Sequence, residues 1–450
     1  MGAKYSVLPS RVQNKVSEEP GRSIDVSYTL KAIEKYLQKD QCDALLNWSI
    51  FPLEETQTFA VPEQVMEFHC DPGNIFDVKF SRAVGCMLGL AIGDSWGHLF
   101  EFTPFADSSY FFKELTAFNL ECWDKCSKYG NKFRLQPGQW TDDTSMALCM
   151  ADSLLIHGKP DYVDMRARFV MWWSLGYNCG FRGDRVRRYK CSIGLGGNIS
   201  ESLVEFMTQH LKTEMTAAGT TITNGNGGLM RLAPIPIFYH DDLNTAVEVA
   251  ALSSLTTHQG IEASECARVL SYIIVKAINY SKVYLEGDST FAQKFFDSLD
   301  FEEIKPQIQT PAVQALVESR QQDGEFVPDE FNEVLEDRNW DWKTEAVVFS
   351  PTRIEQNSGY FGSYSLDAMK VALYSVYHSE SLEDALLTVI NLRGDADTTG
   401  AIAGQLAGAL YGLQYMPKQC INEMFKWDNR GEIALRAMKL FRKETVSLGQ

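Results

Sequence analysis

Two acidic clusters, far apart in the chain, carry the clearest chemical signal. Trp140-Thr141-Asp142-Asp143-Thr144 and Asp395-Ala396-Asp397-Thr398-Thr399 each set two carboxylates beside a threonine hydroxyl. Apolar residues at helical spacing follow both, through Met146, Leu148, Met150 and Leu154 after the first and Ile402, Leu406 and Leu410 after the second, so each cluster is expected at a helix N-terminus. Two uses are open to them. Asp and Thr cap helices by accepting orphan backbone N–H bonds and complementing the positive end of the dipole. One capping side chain is enough, however, and extra carboxylates at one helix end repel unless a cation neutralises them. If the two ends meet, their oxygens form a nest of the kind Mg²⁺, Mn²⁺ or Ca²⁺ prefers, with room for two ions.

The elements that would bring them together are also visible. Gly85, Gly89 and Gly93 recur at every fourth residue, as do Gly404, Gly408 and Gly412. Glycine costs helix stability, so such strips are expected where two helices approach closely, which would place Asp94 to Glu101 beside Asp395 to Thr398. Gly93-Asp94-Ser95-Trp96-Gly97 also satisfies the G-x-S-x-G pattern of a serine-hydrolase elbow, but that motif needs a strand before the serine and the patterning here is helical. Two glycine-rich stretches, Gly194-Leu195-Gly196-Gly197-Asn198 and Asn224-Gly225-Asn226-Gly227-Gly228-Leu229-Met230-Arg231, offer free N–H groups suited to a diphosphate or a sugar. Either could equally be an inter-helix turn, and His258 a packed residue.

Composition bounds the class. The chain has 450 residues, 45% of them hydrophobic, a formal net charge of −17 and ten irregularly spaced cysteines. That predicts a globular protein with reduced thiols, and an acidic surface that does not suit nucleic acid. The basic run from Arg182 to Lys190 is the exception, read as a solvated loop or a phosphate contact. Met1-Gly2-Ala3-Lys4-Tyr5-Ser6 fits the N-myristoylation pattern; one acyl chain would give weak, reversible membrane association of a protein otherwise expected in the cytoplasm. Residues 1–25 read as a flexible arm, 26–79 as a helical extension and 80–445 as the main body, with an acidic insertion at about 288–342. Alternating strands are scarce, so the fold is expected to be all-α: one compact orthogonal helical bundle, monomeric.

In order, Gly89-Leu90-Ala91-Ile92-Gly93-Asp94 with Glu101, the Trp140–Thr144 cluster, Gly225-Asn226-Gly227-Gly228-Leu229-Met230-Arg231-Leu232-Ala233-Pro234, Thr257-His258 and Gly394-Asp395-Ala396-Asp397-Thr398-Thr399-Gly400 resemble the motifs of the ADP-ribosylglycohydrolases. The resemblance covers roughly residues 80 to 445. It implies an all-α fold with a binuclear centre of two Mg²⁺ (or Mn²⁺) and cleavage of the bond between ADP-ribose and a protein side chain or other conjugate. Thr141, Asp142, Asp143, Asp395, Asp397 and Thr398 would be metal ligands. Glu101 would be catalytic together with Asp142 and Asp143. Gly194, Gly196, Gly197, Asn198, Asn226, Gly227, Gly228 and Met230 would contact the substrate, with His258, Tyr360 and Phe361 at the adenosine end. Ser192-Ile193-Gly194 lacks an aspartate that many relatives carry there, and Arg393 stands where a glycine often precedes the second cluster. The acceptor is therefore open. A binding or structural protein with the same fold and no turnover is the alternative.

Overall fold

The computed structural model describes residues 50–51, 61–103, 113–128, 130–187, 192–221, 223–322, 338–344, 362–429 and 431–446. The arm, the myristoylation pattern, most of the extension, and Tyr360 and Phe361 lie outside them. Among the described residues the helices of ten residues or more are α1 (Ile75–Gly97), α2 (Asp142–His157), α3 (Tyr162–Leu175), α4 (Gly197–Thr208), α5 (Leu243–Ser254), α6 (Ile261–Ile278), α7 (Ser365–Tyr377), α8 (Leu382–Asn391), α9 (Ala396–Tyr411) and α10 (Glu432–Arg442). One two-residue antiparallel ladder, Gln321–Gln322 with Arg338–Asn339, is the only sheet among them. The all-α expectation holds, and none of the described helices is long and apolar enough to cross a membrane.

The centre is the antiparallel pair α1 and α9. Every residue from Phe80 to Gly97 and from Ala396 to Tyr411 is buried. Helices apolar on all sides fit only where other elements surround them completely. Here α7 and α8 flank α9, while α2 and α10 pack on α1. Asn74 starts α1 by accepting from the Phe76 amide, so the helix crosses the boundary expected near residue 80. Arg82, buried in its second turn, is satisfied by the carbonyls of Tyr280 and Lys282.

The glycine strips meet as expected, with one shift. A Cβ added to Gly89 would stand 2.1 Å from the Gly404 carbonyl oxygen, one on Gly93 2.0 Å from that of Gly400, and one on Gly85 2.6 Å from that of Gly408. The α9 strip is thus Gly400, Gly404 and Gly408. Gly412 lies beyond the helix as its C-cap, at φ +92°, against Ser81. A period-four run does not show where the helix stops, and the positive-φ residue that ends this one is also glycine. In the described parts of the acidic stretch, Phe291, Phe295, Phe296, Leu316, Trp340 and Trp342 join the core, and the Trp342 indole donates to the Leu316 carbonyl at 2.7 Å.

Gly89→Ala tests the contact. Alanine improves helix propensity by about 1 kcal/mol, but here its methyl meets backbone that cannot yield, and overpacking costs about 1–3 kcal/mol or more. Denaturant melts should show a net loss of about 2 kcal/mol or failure to fold, whereas Gly183→Ala, with open space at its Cβ, should change little; equal midpoints for both would refute the contact.

Candidate active site

The last turn of α1 carries Asp94 to the first turn of α2. Its buried carboxylate accepts from Thr141 N at 3.0 Å, from Thr144 N at 3.0 Å and from Thr144 Oγ1 at 2.6 Å. Thr141 Oγ1 lies 2.8 Å from Asp94 Oδ1 and 2.9 Å from Asp143 Oδ2, and its single hydrogen serves one of them at a time. Thr141 makes no capping bond of its own. The amides of Thr141 and Thr144 at the start of α2 are therefore satisfied from another helix, by Asp94. Asp142 and Asp143 are left for other work.

In the second cluster Asp397 supplies its own helix, its Oδ1 accepting from the Thr398 amide at 2.9 Å, while Asp395 is turned elsewhere. Asp395, at the N-cap of α9, makes no capping bond, and its Oδ2 accepts from Asn226 Nδ2 at 2.6 Å. The same amide donates to the Gly362 carbonyl at 2.6 Å, so Asn226 reaches this site as a holder of Asp395. Glu101 is brought alongside by a short backbone bridge: Phe102 N donates to Gly394 O and Gly394 N to Thr103 O, both at 3.1 Å. Arg393 and Gly394 both stand at φ 68°, the left-handed region that glycine adopts without a Cβ penalty. The guanidinium of Arg393 is held by Glu114 at 2.7 Å. Carboxylate atoms of Glu101, Asp395 and Asp397 lie within 4.8 Å of one another.

So many acids in one buried place oppose ionisation. Burial first, and then the Asp395 charge, lifts the Glu101 carboxyl to about 9. Burial followed by Asp143 lifts Asp142 well above its ordinary range; burial followed by Asp94 does so for Asp143, and burial followed by Glu101 for Asp397. Two oxygens of the group, Glu101 Oε2 and Asp143 Oδ1, are buried without a hydrogen-bond partner. Crowded carboxylates with unpartnered oxygens and neighbouring hydroxyls fit a hard divalent cation, whose charge reverses the local cost of ionisation.

A cavity of about 480 Å³ opens on the cluster. Glu101, Asp142, Asp395, Asp397 and Thr398 form its acidic wall, and Gly194, Gly196, Gly197, Asn198, Asn226, Gly227, Met230 and His258 also line it. Thr141, Asp143 and Gly228 are not among the lining residues; Gly228 faces Ser254 of α5, where a Cβ would meet the hydroxyl at 2.3 Å. Gly194, at φ +85°, lies so close to Asp142 Oδ1 that a Cβ would come within 1.9 Å of it. Ser95 is fully buried in α1 and is not among the lining residues, so the elbow pattern is a coincidence of helical sequence. Phe102 and Phe133, absent from the sequence reading, line the cavity as an edge-to-face pair 6.0 Å apart. The described residues of the basic run stay off the cavity; Arg187 donates to the Phe133 carbonyl.

An all-α fold that joins two acidic helix starts beside a glycine-walled cavity defines a class of helical hydrolases with a carboxylate-rich centre. The chain belongs to the ADP-ribosylglycohydrolase family, whose profile matches residues 77–447. It is 30% identical to an ADP-ribosylarginine hydrolase, Tri1, of Pseudomonas putida over 356 residues, 76% of this chain and 74% of that one. It is 23% identical to the ADP-ribosyl-[dinitrogen reductase] glycohydrolase of Rhodospirillum rubrum, over 76% of this chain and 90% of the relative. Among solved structures, a chain of an ADP-ribosylglycohydrolase-related protein complex matches with a TM-score of 0.56 and 26% identity, covering 82% of this chain and 99% of that one.

The raised carboxyls give a signed test. Each holds its proton more tightly in the folded protein than in the unfolded chain, so the ion-free protein loses stability as pH climbs from the ordinary carboxylate range through about 9 for Glu101. A bound cation displaces those protons. The rise in melting temperature produced by saturating Mg²⁺ or Mn²⁺ should therefore grow between about pH 6 and about pH 8.5. A rise that shrinks over that interval would contradict the assignment.

Proposed function

We propose that this chain is a metal-dependent hydrolase that reverses ADP-ribosylation, and that the linkage it cleaves joins ADP-ribose to an arginine side chain. The observation that carries the reading is the convergence of two acidic helix starts, each with more carboxylate than capping uses, on one cavity wall. Family membership supports the reaction. The arginine linkage is supported by the named activity of relatives at 30% and 28% identity.

Thr141, Asp142, Asp143, Asp395, Asp397 and Thr398 would hold one or two cations, Mg²⁺ or Mn²⁺. When bound, such an ion polarises the ribose and the attacking water as a Lewis acid. The protein groups supply the rest. The first turn of α4 begins at Gly196 and Gly197 with no side-chain cap and no atom within 4 Å of either added Cβ. Its free amides and positive dipole end border the cavity and are suited to the diphosphate. Asp94 fixes the start of α2, Asn226 fixes Asp395, and the Gly394 bridge fixes Glu101. Glu101, with Oε2 unpartnered, is placed to move a proton between the attacking water and the departing acceptor atom.

Release of free ADP-ribose from arginine-linked and serine-linked substrates decides the linkage. Chelator-sensitive release, at least about tenfold faster from arginine, is expected; faster release from serine would overturn the linkage, and no release from either despite ADP-ribose binding would favour a protein without turnover. Asp142→Asn and Asp397→Asn should each lower kcat/KM by about a hundredfold or more while the melt stays cooperative. Full activity in both variants would sink the proposed centre.

A further inference from the structure

His258 borders the cavity, and the residues behind it carry an instruction about its proton. The ring is buried, with Nε2 toward the glycine loop: a Cβ on Gly225 would stand 2.9 Å from Nε2, and one on Gly227 2.6 Å from Cε1. On its other side, His258 Nδ1 lies 2.9 Å from Thr257 Oγ1. Thr257 Oγ1 in turn accepts from Arg231 Nη2 at 2.6 Å. Arg231 is wholly buried, its guanidinium 4.5 Å over the Phe169 ring, and the same Nη2 reaches Thr256 Oγ1 at 3.2 Å.

The donor inventory decides between the two neutral tautomers. Arginine only donates, so one lone pair of the Thr257 oxygen is committed. If Nδ1 is the acceptor, the Thr257 hydrogen is satisfied and Nε2 carries the ring proton. If Nδ1 carries the proton instead, the Thr257 hydroxyl receives two donors and its own hydrogen has no acceptor, in a residue 1% exposed. That tautomer would also turn a bare nitrogen lone pair on an oxygen-rich ligand. Burial, and then the Arg231 charge, keeps the ring neutral, its pKa lowered to about 3.

We propose that Arg231, acting through Thr257, is a positioning residue that fixes His258 as the Nε2–H tautomer and so presents a neutral N–H donor to an oxygen of the bound ligand. The proposal rests on the reading of this cavity as the ADP-ribose site. Neither Arg231 nor Thr257 lines the cavity, so their effect on ligand passes through the imidazole.

The test reads the proton directly. Long-range ¹H–¹⁵N spectra of full-length protein labelled at its seven histidines, with His258 assigned by loss of its signals in His258→Gln, should show the Nε2–H pattern without ligand. Thr257→Val keeps the shape but removes the hydroxyl; it should shift His258 toward the other tautomer and weaken ADP-ribose binding about tenfold, while Thr257→Ser restores both. A wild-type Nδ1–H pattern overturns the proposal whatever the ligand does, as does a Thr257→Val protein with unchanged spectrum and affinity. Wild-type protein that shows the Nε2–H pattern yet binds no ADP-ribose would overturn the ligand-donor role together with the cavity reading, and the spectrum separates that failure from a failure of the relay.

Discussion

The close approach of α1 and α9 is the constraint on which the site depends. Only bare backbone allows the carbonyl oxygens of Gly400, Gly404 and Gly408 to sit against Gly93, Gly89 and Gly85. Because the helices run antiparallel, the C-terminal end of α1 lies beside the N-terminal end of α9. Gly97 packs against Ala396 there, where a Cβ would meet the Ala396 oxygen at 2.2 Å. Asp94 and Glu101 thereby arrive within reach of the second acidic cluster. Interiors this dense transmit small displacements, so spreading the pair would move the carboxylates apart.

Capping in trans is the second device. A helix start normally consumes a polar side chain. Here Asp94 serves α2 from the neighbouring helix, and Asp395 is turned toward Asn226. The cost is a buried knot of like charges, which burial and mutual repulsion hold toward their protonated forms. A fold that keeps such a knot, with Glu101 Oε2 and Asp143 Oδ1 unpartnered, is suited to a cation rather than to an empty interior. The same economy appears opposite, where an uncapped α4 start borders the cavity with amides to spare.

Much of this was legible in the sequence because it is written in local periodicity. Glycine at every fourth residue encodes a helix contact, and doubled carboxylates after a helix boundary encode a surplus over capping. The rest depends on pairs remote in sequence. Asp94 sat inside a stretch that mimics a hydrolase elbow, and its meaning appears only when Thr141 and Thr144 lie against it. Asn226 lines the cavity, and its further bond to Asp395, 169 residues away, has no mark in the sequence. Phe102 and Phe133 come from irregular segments with no period to mark them, and Gly412 differs from Gly408 only in the backbone angle it adopts. Arg393 likewise carries a positive φ that its residue type does not announce.

The central claim is that the two acidic helix starts form one cation site, and anomalous diffraction from crystals grown with Mn²⁺ tests it most directly. The account predicts one or two anomalous peaks within bonding distance, about 2.0–2.3 Å, of oxygens from both Asp142–Asp143 and Asp395–Asp397. Full Mn²⁺ saturation with no peak there, or a peak touching only one of the two clusters, would contradict it.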